Sequence, residues 1–220
     1  MKRWLRFTAA VLAAAFLFAL TGCGSSTNSA SFTWFVDSIP ANLDPQVASG
    51  ASDVIACENL YGTLVRKDPD GELVPGLCEK WTVSPDGLTY TFTLKDGLRY
   101  AAAKGAAAEY DITAEDFVFA FRRIFRADTA SPYAVEFSAI QNSAAVLAGL
   151  ADESSLGVSA NGALTLVFRL SERDDNFLAK LAMPGAAPCD EAFFESTRGT
   201  YGLTDKTTLS SAGRVGRSMV

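Results

Sequence analysis

The side chains able to do chemistry in this chain are acids and thiols, because histidine is absent. Without imidazole, the commonest general base and the commonest zinc ligand are both missing. The acids come in pairs, Asp174-Asp175 and Glu115-Asp116, with Asp111 close by. Two carboxylates can divide acid and base roles when their surroundings push their pKa values apart. Here each group stands at the start of an expected helix, where an acid complements the helix dipole and stays solvated. Cys57, Cys78 and Cys189 follow no C-x-x-C spacing, so neither a zinc nor a redox site is expected. Free, buried thiols are the expected state, ahead of a Cys57–Cys78 bridge. No G-x-S-x-G elbow, P-loop, dinucleotide fingerprint or H-E-x-x-H motif occurs. The sequence therefore assigns no catalytic residue, no metal and no cofactor, and an enzyme is not expected.

The elements around these residues can be read from pattern. Asp68-Pro69-Asp70-Gly71 and Ser84-Pro85-Asp86-Gly87 are tight-turn sequences, with Pro fixing φ and Gly supplying positive φ, so each predicts a hairpin. Leu88, Tyr90, Phe92 and Leu94 alternate with three threonines, which predicts a strand with one buried face. Thr113 is a natural N-cap, and Phe117, Phe121, Ile124 and Phe125 fall on one side of the helix it opens. A shorter helix is expected from Ser52 to Leu60, with Val54, Ile55 and Leu60 on its apolar side. Another is expected to follow Ala134 as far as Leu150. A second hairpin spans Leu156–Phe168 and turns at Asn161-Gly162. Short helices over Asn176–Met183 and Asp190–Ser196 are separated by Pro184 and Pro188. Ser31–Val36 reads as a first strand, and the alanine-rich Ala101–Ala108 as a lengthened loop or helical turn.

The N-terminus carries Lys2, Arg3 and Arg6, an apolar run from Ala9 to Leu20, and then Thr21-Gly22-Cys23. A basic start and an apolar stretch too short to span a bilayer make a secretory signal. Leu20-Thr21-Gly22-Cys23 reads as a lipobox, with Cys23 as the first mature residue and lipid carrier and Gly24–Ser31 as its polar tether, ahead of an ordinary signal peptide whose Cys is incidental. Cleavage removes three cations and no acid, taking the net charge from −6 to −9. Such a balance argues against nucleic acid as a partner, since phosphate binding needs clustered Lys and Arg. At 49% hydrophobic residues, with 15 Phe, the chain can build a core for one large domain or two small ones.

Three phrases in order carry a family likeness: Asn59-Leu60-Tyr61-Gly62-Thr63-Leu64, then Pro75-Gly76-Leu77-Cys78-Glu79-Lys80-Trp81, then Asp86 to Gly97. Ile39 to Pro45 adds a Leu43-Asp44-Pro45 loop, and Thr129-Ala130-Ser131-Pro132-Tyr133-Ala134 adds a further phrase. Together they resemble the extracellular solute-binding proteins of family 5, the oligopeptide- and dipeptide-capturing components of ABC importers. The likeness runs from about Thr33 to Tyr201. It implies a mixed α/β, type II periplasmic-binding-protein fold that is incomplete here, with part of a main lobe and a smaller second lobe. The implied boundaries are a signal peptide at 1–22, lipidated Cys and tether at 23–31, and the start of the main lobe at 32–44. The second lobe covers 45–188, and 189–220 returns toward the main lobe.

The resemblance also implies a site. Ser49, Gly50 and Ala51 occupy the segment that contacts the ligand backbone in the family, and Tyr133 lines the same cleft. Relatives carry an acid where Ser49 stands, so a charge contact at that position is missing. The implied partners are an oligopeptide, the membrane subunits of an ABC importer, and the membrane through the Cys23 lipid. Dipeptides, nickel chelates or other solutes are the alternatives within transport, and a surface enzyme or adhesion module lies outside it. The ending Ser210 to Val220 is small, basic and aperiodic, and departs from the strand that relatives form there. A frameshift or premature stop near Leu209 is therefore expected, with a naturally short single-lobe protein as the alternative.

Overall fold

Two proline-containing turns set the framework of the computed structural model, which describes residues 38–101 and 110–211. Asp68–Gly71 joins β1 (Val65–Lys67) to β2 (Leu73–Pro75), antiparallel, with Lys67 opposite Leu73. Ser84–Gly87 joins β3 (Cys78–Val83) to β4 (Thr89–Leu94), with Trp81 opposite Phe92. Gly87 takes φ 73°, where a Cβ would be strained, and Asp86 Oδ1 accepts from the Leu88 N–H at 2.9 Å to close the turn. β5 (Val158–Ala160) and β6 (Thr165–Arg169) complete a four-stranded antiparallel sheet in the order β3-β4-β6-β5. The predicted alternation holds in β4: Tyr90, Phe92 and Leu94 are buried, while Thr89, Thr91 and Thr93 are half-buried.

The β5–β6 hairpin exists, but its connection is not the two-residue turn that Asn161-Gly162 suggested. Four residues, 161–164, separate the strands, and the Asn161 N–H bonds to the Thr165 carbonyl at 2.8 Å. Only Gly162 of the pair has positive φ, whereas a two-residue type I′ turn needs it at both positions.

α1 (Ala51–Leu60) and α2 (Ala114–Phe125) are the two longest helices among the described residues. In α2 the Asp116 side chain accepts from the Thr113 N–H at 2.8 Å, as a capping acid should. Phe117, Phe121, Ile124 and Phe125 are all buried, and they meet the sheet through an aromatic lattice. Phe121 lies edge-on to Phe137 and to Phe168, each at 4.9 Å between ring centroids, and Phe92 lies edge-on to Phe168 at 5.9 Å. α1 differs from expectation. Its buried positions are Ser52 and Cys57, and Val54, Ile55 and Leu60 are only half-buried.

The helix expected from Ala134 to Leu150 shrinks to α3 (Ser143–Leu147). The sheet captures the preceding segment: Ile140 bridges Leu170, and Gln141 exchanges backbone hydrogen bonds with Arg169 and Gly157. Asn142 then takes φ 63° as the chain turns into α3. α4 (Phe177–Lys180) and α5 (Glu191–Ser196) flank a 3₁₀ turn at Pro184–Ala186. Asp190 caps α5 by accepting from the Phe193 N–H at 2.6 Å. Cys57, Cys78 and Cys189 are buried and unbridged.

Leu209, Ser210 and Ser211 pack into the fold. Leu209 and Ser211 are buried, Ser210 bridges Ala101, and Ser211 Oγ accepts from the Gly62 N–H at 2.8 Å. The expected strand Ser31–Val36, Cys23, nearly all of the alanine-rich stretch and residues 212–220 lie outside the described residues.

Candidate functional site

The loop Leu43-Asp44-Pro45-Gln46 leads into α1, and buried polar contacts fix it. Arg123, on α2, is 3% exposed. Its two terminal nitrogens donate to the two oxygens of Asp44, at 3.2 and 2.5 Å, and one of them also reaches Gln46 Oε1 at 2.7 Å. The guanidinium lies over the Phe194 ring, 4.0 Å from its centroid. Gln46 Nε2 in turn donates to the Gly185 and Ala187 carbonyls at 3.2 and 3.0 Å, and Ser131 Oγ donates to the Gln46 carbonyl at 2.5 Å. A buried guanidinium is tolerable only when paired and hydrogen-bonded, and here two side chains satisfy the terminal nitrogens, while Nε is buried without a partner.

Tyr133 extends this scaffold. It sits in the 3₁₀ turn Pro132–Ala134, where Ser131 Oγ accepts from its N–H at 3.2 Å. Its hydroxyl donates to the Ala48 carbonyl at 3.3 Å, immediately before Ser49. Its ring lies flat against Gly185, where an added Cβ would come within 2.4 Å of the ring. Burial, with Cys57 and Glu58 adding to it, pushes the hydroxyl up to about 12, so it stays a proton donor at neutral pH.

A cleft of about 950 Å³ opens beside Tyr133, between α1, β1 and the turn after α4. Val54, Leu77, Met183 and Pro184 give it apolar walls, and Glu58, Arg66 and Lys67 add charge. Of the four ligand residues expected from the resemblance, only Tyr133 lines this cleft. Ser49, Gly50 and Ala51 are exposed at the start of α1, with Gly50 in the N-cap position at extended φ and ψ. The structure links the two groups through one contact, the Tyr133 hydroxyl on Ala48. Asp53 closes the loop from the other side by accepting from the Ala41 N–H at 2.7 Å.

The acids considered for chemistry take local structural roles. Asp174 accepts from the Asn176 N–H and from Lys180 Nζ, at 2.9 and 2.8 Å, Asp175 pairs with Arg173, and Asp111 pairs with Arg99. Among the described residues no group of three His, Cys, Asp or Glu side chains could hold a metal ion. Sequence reasoning missed Arg123: Arg122 and Arg123 stand side by side in the apolar stretch Phe117–Phe125, and only the helical phase, which puts Arg123 between buried positions, separated the buried one from the other. It also missed Glu58, Arg66 and Lys67, for which exposed charges beside a turn gave no signal.

Sheet, helices and cleft together make a mixed α/β scaffold with an open cleft beside Tyr133. Residues 72–211 match the bacterial extracellular solute-binding proteins, family 5, in the middle part of that family. The oligopeptide-binding protein AliA of Streptococcus pneumoniae is 30% identical over 202 residues, covering 90% of this chain and 30% of AliA. The probable deoxycholate-binding periplasmic protein YgiS of Escherichia coli is 35% identical over 151 residues, covering 68% of this chain and 27% of YgiS. The substrate-binding domain of an oligopeptide ABC transporter from Bacillus anthracis superposes with a TM-score of 0.73 at 30% identity, over 78% of this chain and 32% of that structure. The chain belongs to family 5 of the extracellular solute-binding proteins, which are transport binding proteins and not enzymes. Its fold is the type II periplasmic-binding architecture, in part. The chain spans about three tenths of the length of the curated relatives it matches.

Proposed function

We propose that this chain takes part in capturing oligopeptides outside the cytoplasm and delivering them to an ABC importer. The observation that carries the reading is the family match over residues 72–211, with oligopeptide-binding AliA among its relatives. Tyr133 at the cleft, with its hydroxyl on the Ala48 carbonyl just before Ser49, supports a ligand site there. A peptide enclosed by such a protein has its backbone satisfied by main-chain and side-chain partners, as an added strand would be. Within this reading, residues 1–22 are a signal peptide, Cys23 carries a lipid that holds the protein on the membrane, and 45–188 form the second lobe. Hydrophobic attachment through a lipid anchors a domain without spanning the bilayer.

A second reading within transport is favoured by the name of YgiS: an amphipathic acid such as deoxycholate in place of a peptide. Amide-resolved NMR of the 220-residue protein, titrated with mixed tri- to hexapeptides and separately with deoxycholate, decides between them. Shifts around Tyr133 and Ser49–Ala51 with peptides support the proposal. Shifts with deoxycholate alone would overturn it.

A further inference from the structure

One asparagine in the chain is followed by glycine, at Asn161-Gly162 between β5 and β6, and three aspartates are, at Asp70-Gly71, Asp86-Gly87 and Asp96-Gly97. In such pairs the glycine nitrogen can close a five-membered ring on the preceding side-chain carbonyl, because glycine has no Cβ to block the approach. In the aspartate pairs that N–H is engaged. Gly71 donates to the Asp68 carbonyl at 3.0 Å, Gly87 to the Ser84 carbonyl at 2.9 Å, and Gly97 to the Asp96 carboxylate at 2.9 Å. Gly162 differs. Among the described residues nothing accepts from its N–H, and the Asn161 side chain makes no hydrogen bond. Both residues are exposed, Gly162 takes φ 73°, and nothing lies within 4 Å of where its Cβ would stand. The other described asparagines lack this combination. Asn42, Asn59 and Asn142 are held by the Asp44 N–H and by the Ile55 and Ser155 carbonyls, at 2.8 Å each. After Asn176, the Phe177 N–H donates to the Asp174 carbonyl at 3.1 Å.

We propose that Asn161 is a site of spontaneous covalent modification in the folded protein, deamidation through a cyclic succinimide. The Gly162 nitrogen, deprotonated by hydroxide, attacks Asn161 Cγ. The new N–Cγ bond replaces the Cγ–Nδ2 bond, and Nδ2 takes a proton from water and leaves as ammonia. A second water then opens the ring at either carbonyl. Opening at Cγ gives an aspartyl residue, and opening at the main-chain carbon gives an isoaspartyl residue, whose chain runs through Cβ and Cγ. The net change is water taken up and ammonia lost, with no oxidation, and a neutral amide becomes a carboxylate. The isoaspartyl product lengthens the backbone by one carbon between the Asn161 N–H, which bonds to the Thr165 carbonyl, and the carbonyls of Ala163 and Leu164. Those two carbonyls accept from the Ala114 N–H at the start of α2 and from the Leu94 N–H at the end of β4, both at 2.8 Å. The first N–H groups of a helix depend on partners outside it, so a displaced Ala163 carbonyl loosens the N-terminus of α2.

The test incubates the 220-residue protein at pH 8, folded and in urea, and follows each asparagine by peptide mapping with mass spectrometry. In the folded protein the mass gain should be confined, among the asparagines of residues 42–176, to the peptide carrying Asn161. Its rate should be close to the rate in urea, and the product should separate into aspartyl and isoaspartyl species. Asn161→Gln should stop the gain, because a glutamine side chain must close a larger ring. Its thermal melting should match the parent, because no hydrogen bond of the fold uses this side chain. Amide hydrogen exchange in the isoaspartyl form should be faster at Ala114 and Leu94 than in fresh protein. Asn161 staying intact in the folded protein while it converts in urea would overturn the proposal. Earlier conversion at Asn59 or Asn142 would overturn it too. Unchanged exchange at both amides in the isoaspartyl form would overturn the loosening of α2.

Discussion

Arg123 shows how one residue can set a site it does not touch. Its guanidinium is removed from water and matched by Asp44 and Gln46, so either partner alone would be a buried charge or an unsatisfied group. Arg123→Met leaves Asp44 buried and unpaired, which costs about 3–5 kcal/mol. The expected outcome is a melting temperature lower by roughly 10 °C or more, read by calorimetry. A melting curve unchanged by Arg123→Met would remove the ion pair from the account. Asp116 makes a different prediction. Burial pushes its carboxyl up to about 7, the Thr113 N–H opposes that rise, and Asp190 and Glu115 add to it. An acid whose folded pKa lies above its unfolded value binds more protons when folded, so its contribution falls as pH rises from about 4 to about 7. Asp116→Asn, which keeps an oxygen for the Thr113 N–H, should flatten that fall. Chemical denaturation of both proteins at pH 5 and pH 8 checks it: the parent should lose more stability across the interval than the variant.

Elements were legible where one periodicity had no competitor. β4 alternates strictly and α2 carries its aromatics at helical spacing, and both fold as the pattern dictates. Legibility ended where tertiary contacts outbid local preference. Residues 135–141 have a helical composition, yet the backbone groups of Gln141 bond across to Arg169 and Gly157, so the helix begins only at Ser143. The half-exposed Val54 and Ile55 were read as core because the chain gives no sign that Cys57 and Ser52 face inward. For the cleft, the likeness of phrase pointed to Tyr133, but not to Glu58, Arg66 and Lys67, which in the sequence look like ordinary solvated charges. Close contacts between elements yield a paired prediction. Gly185→Ala places a Cβ 2.4 Å from the Tyr133 ring, so the ring must move and its hydroxyl leave the Ala48 carbonyl. Gly50→Ala meets only the end of the Asp53 side chain at 3.3 Å, which can yield. Overpacking of this kind costs about 1–3 kcal/mol. Gly185→Ala should therefore lower stability by that order and shift the NMR signals of 48–51, while Gly50→Ala should melt close to the parent. Equal melting temperatures for the two variants would contradict the Tyr133–Gly185 packing.

At the scale of the whole molecule, the four cysteines report on folding and processing together. Cys57, Cys78 and Cys189 are buried, and burial pushes their thiols up to about 12, 11 and 12, which suppresses the reactive thiolate. Among the described residues the sheet, α1 and α2 must open before these sulfurs meet solvent, so labelling at pH 8 should follow opening of the fold. In denaturant the count becomes diagnostic. Protein made without membrane processing should titrate four thiols, one for each Cys in the chain. Protein recovered from membranes should titrate three, if the sulfur of Cys23 carries the proposed lipid. A bridge between Cys57 and Cys78 would remove two more, and reduction would restore them. Thiol titration with intact mass on both preparations therefore separates lipid attachment, which adds mass and resists reduction, from disulfide formation, which does neither. Four reactive thiols in the membrane-derived protein would refute lipidation at Cys23. A count raised by reductant would refute the free, buried thiols of the folded structure.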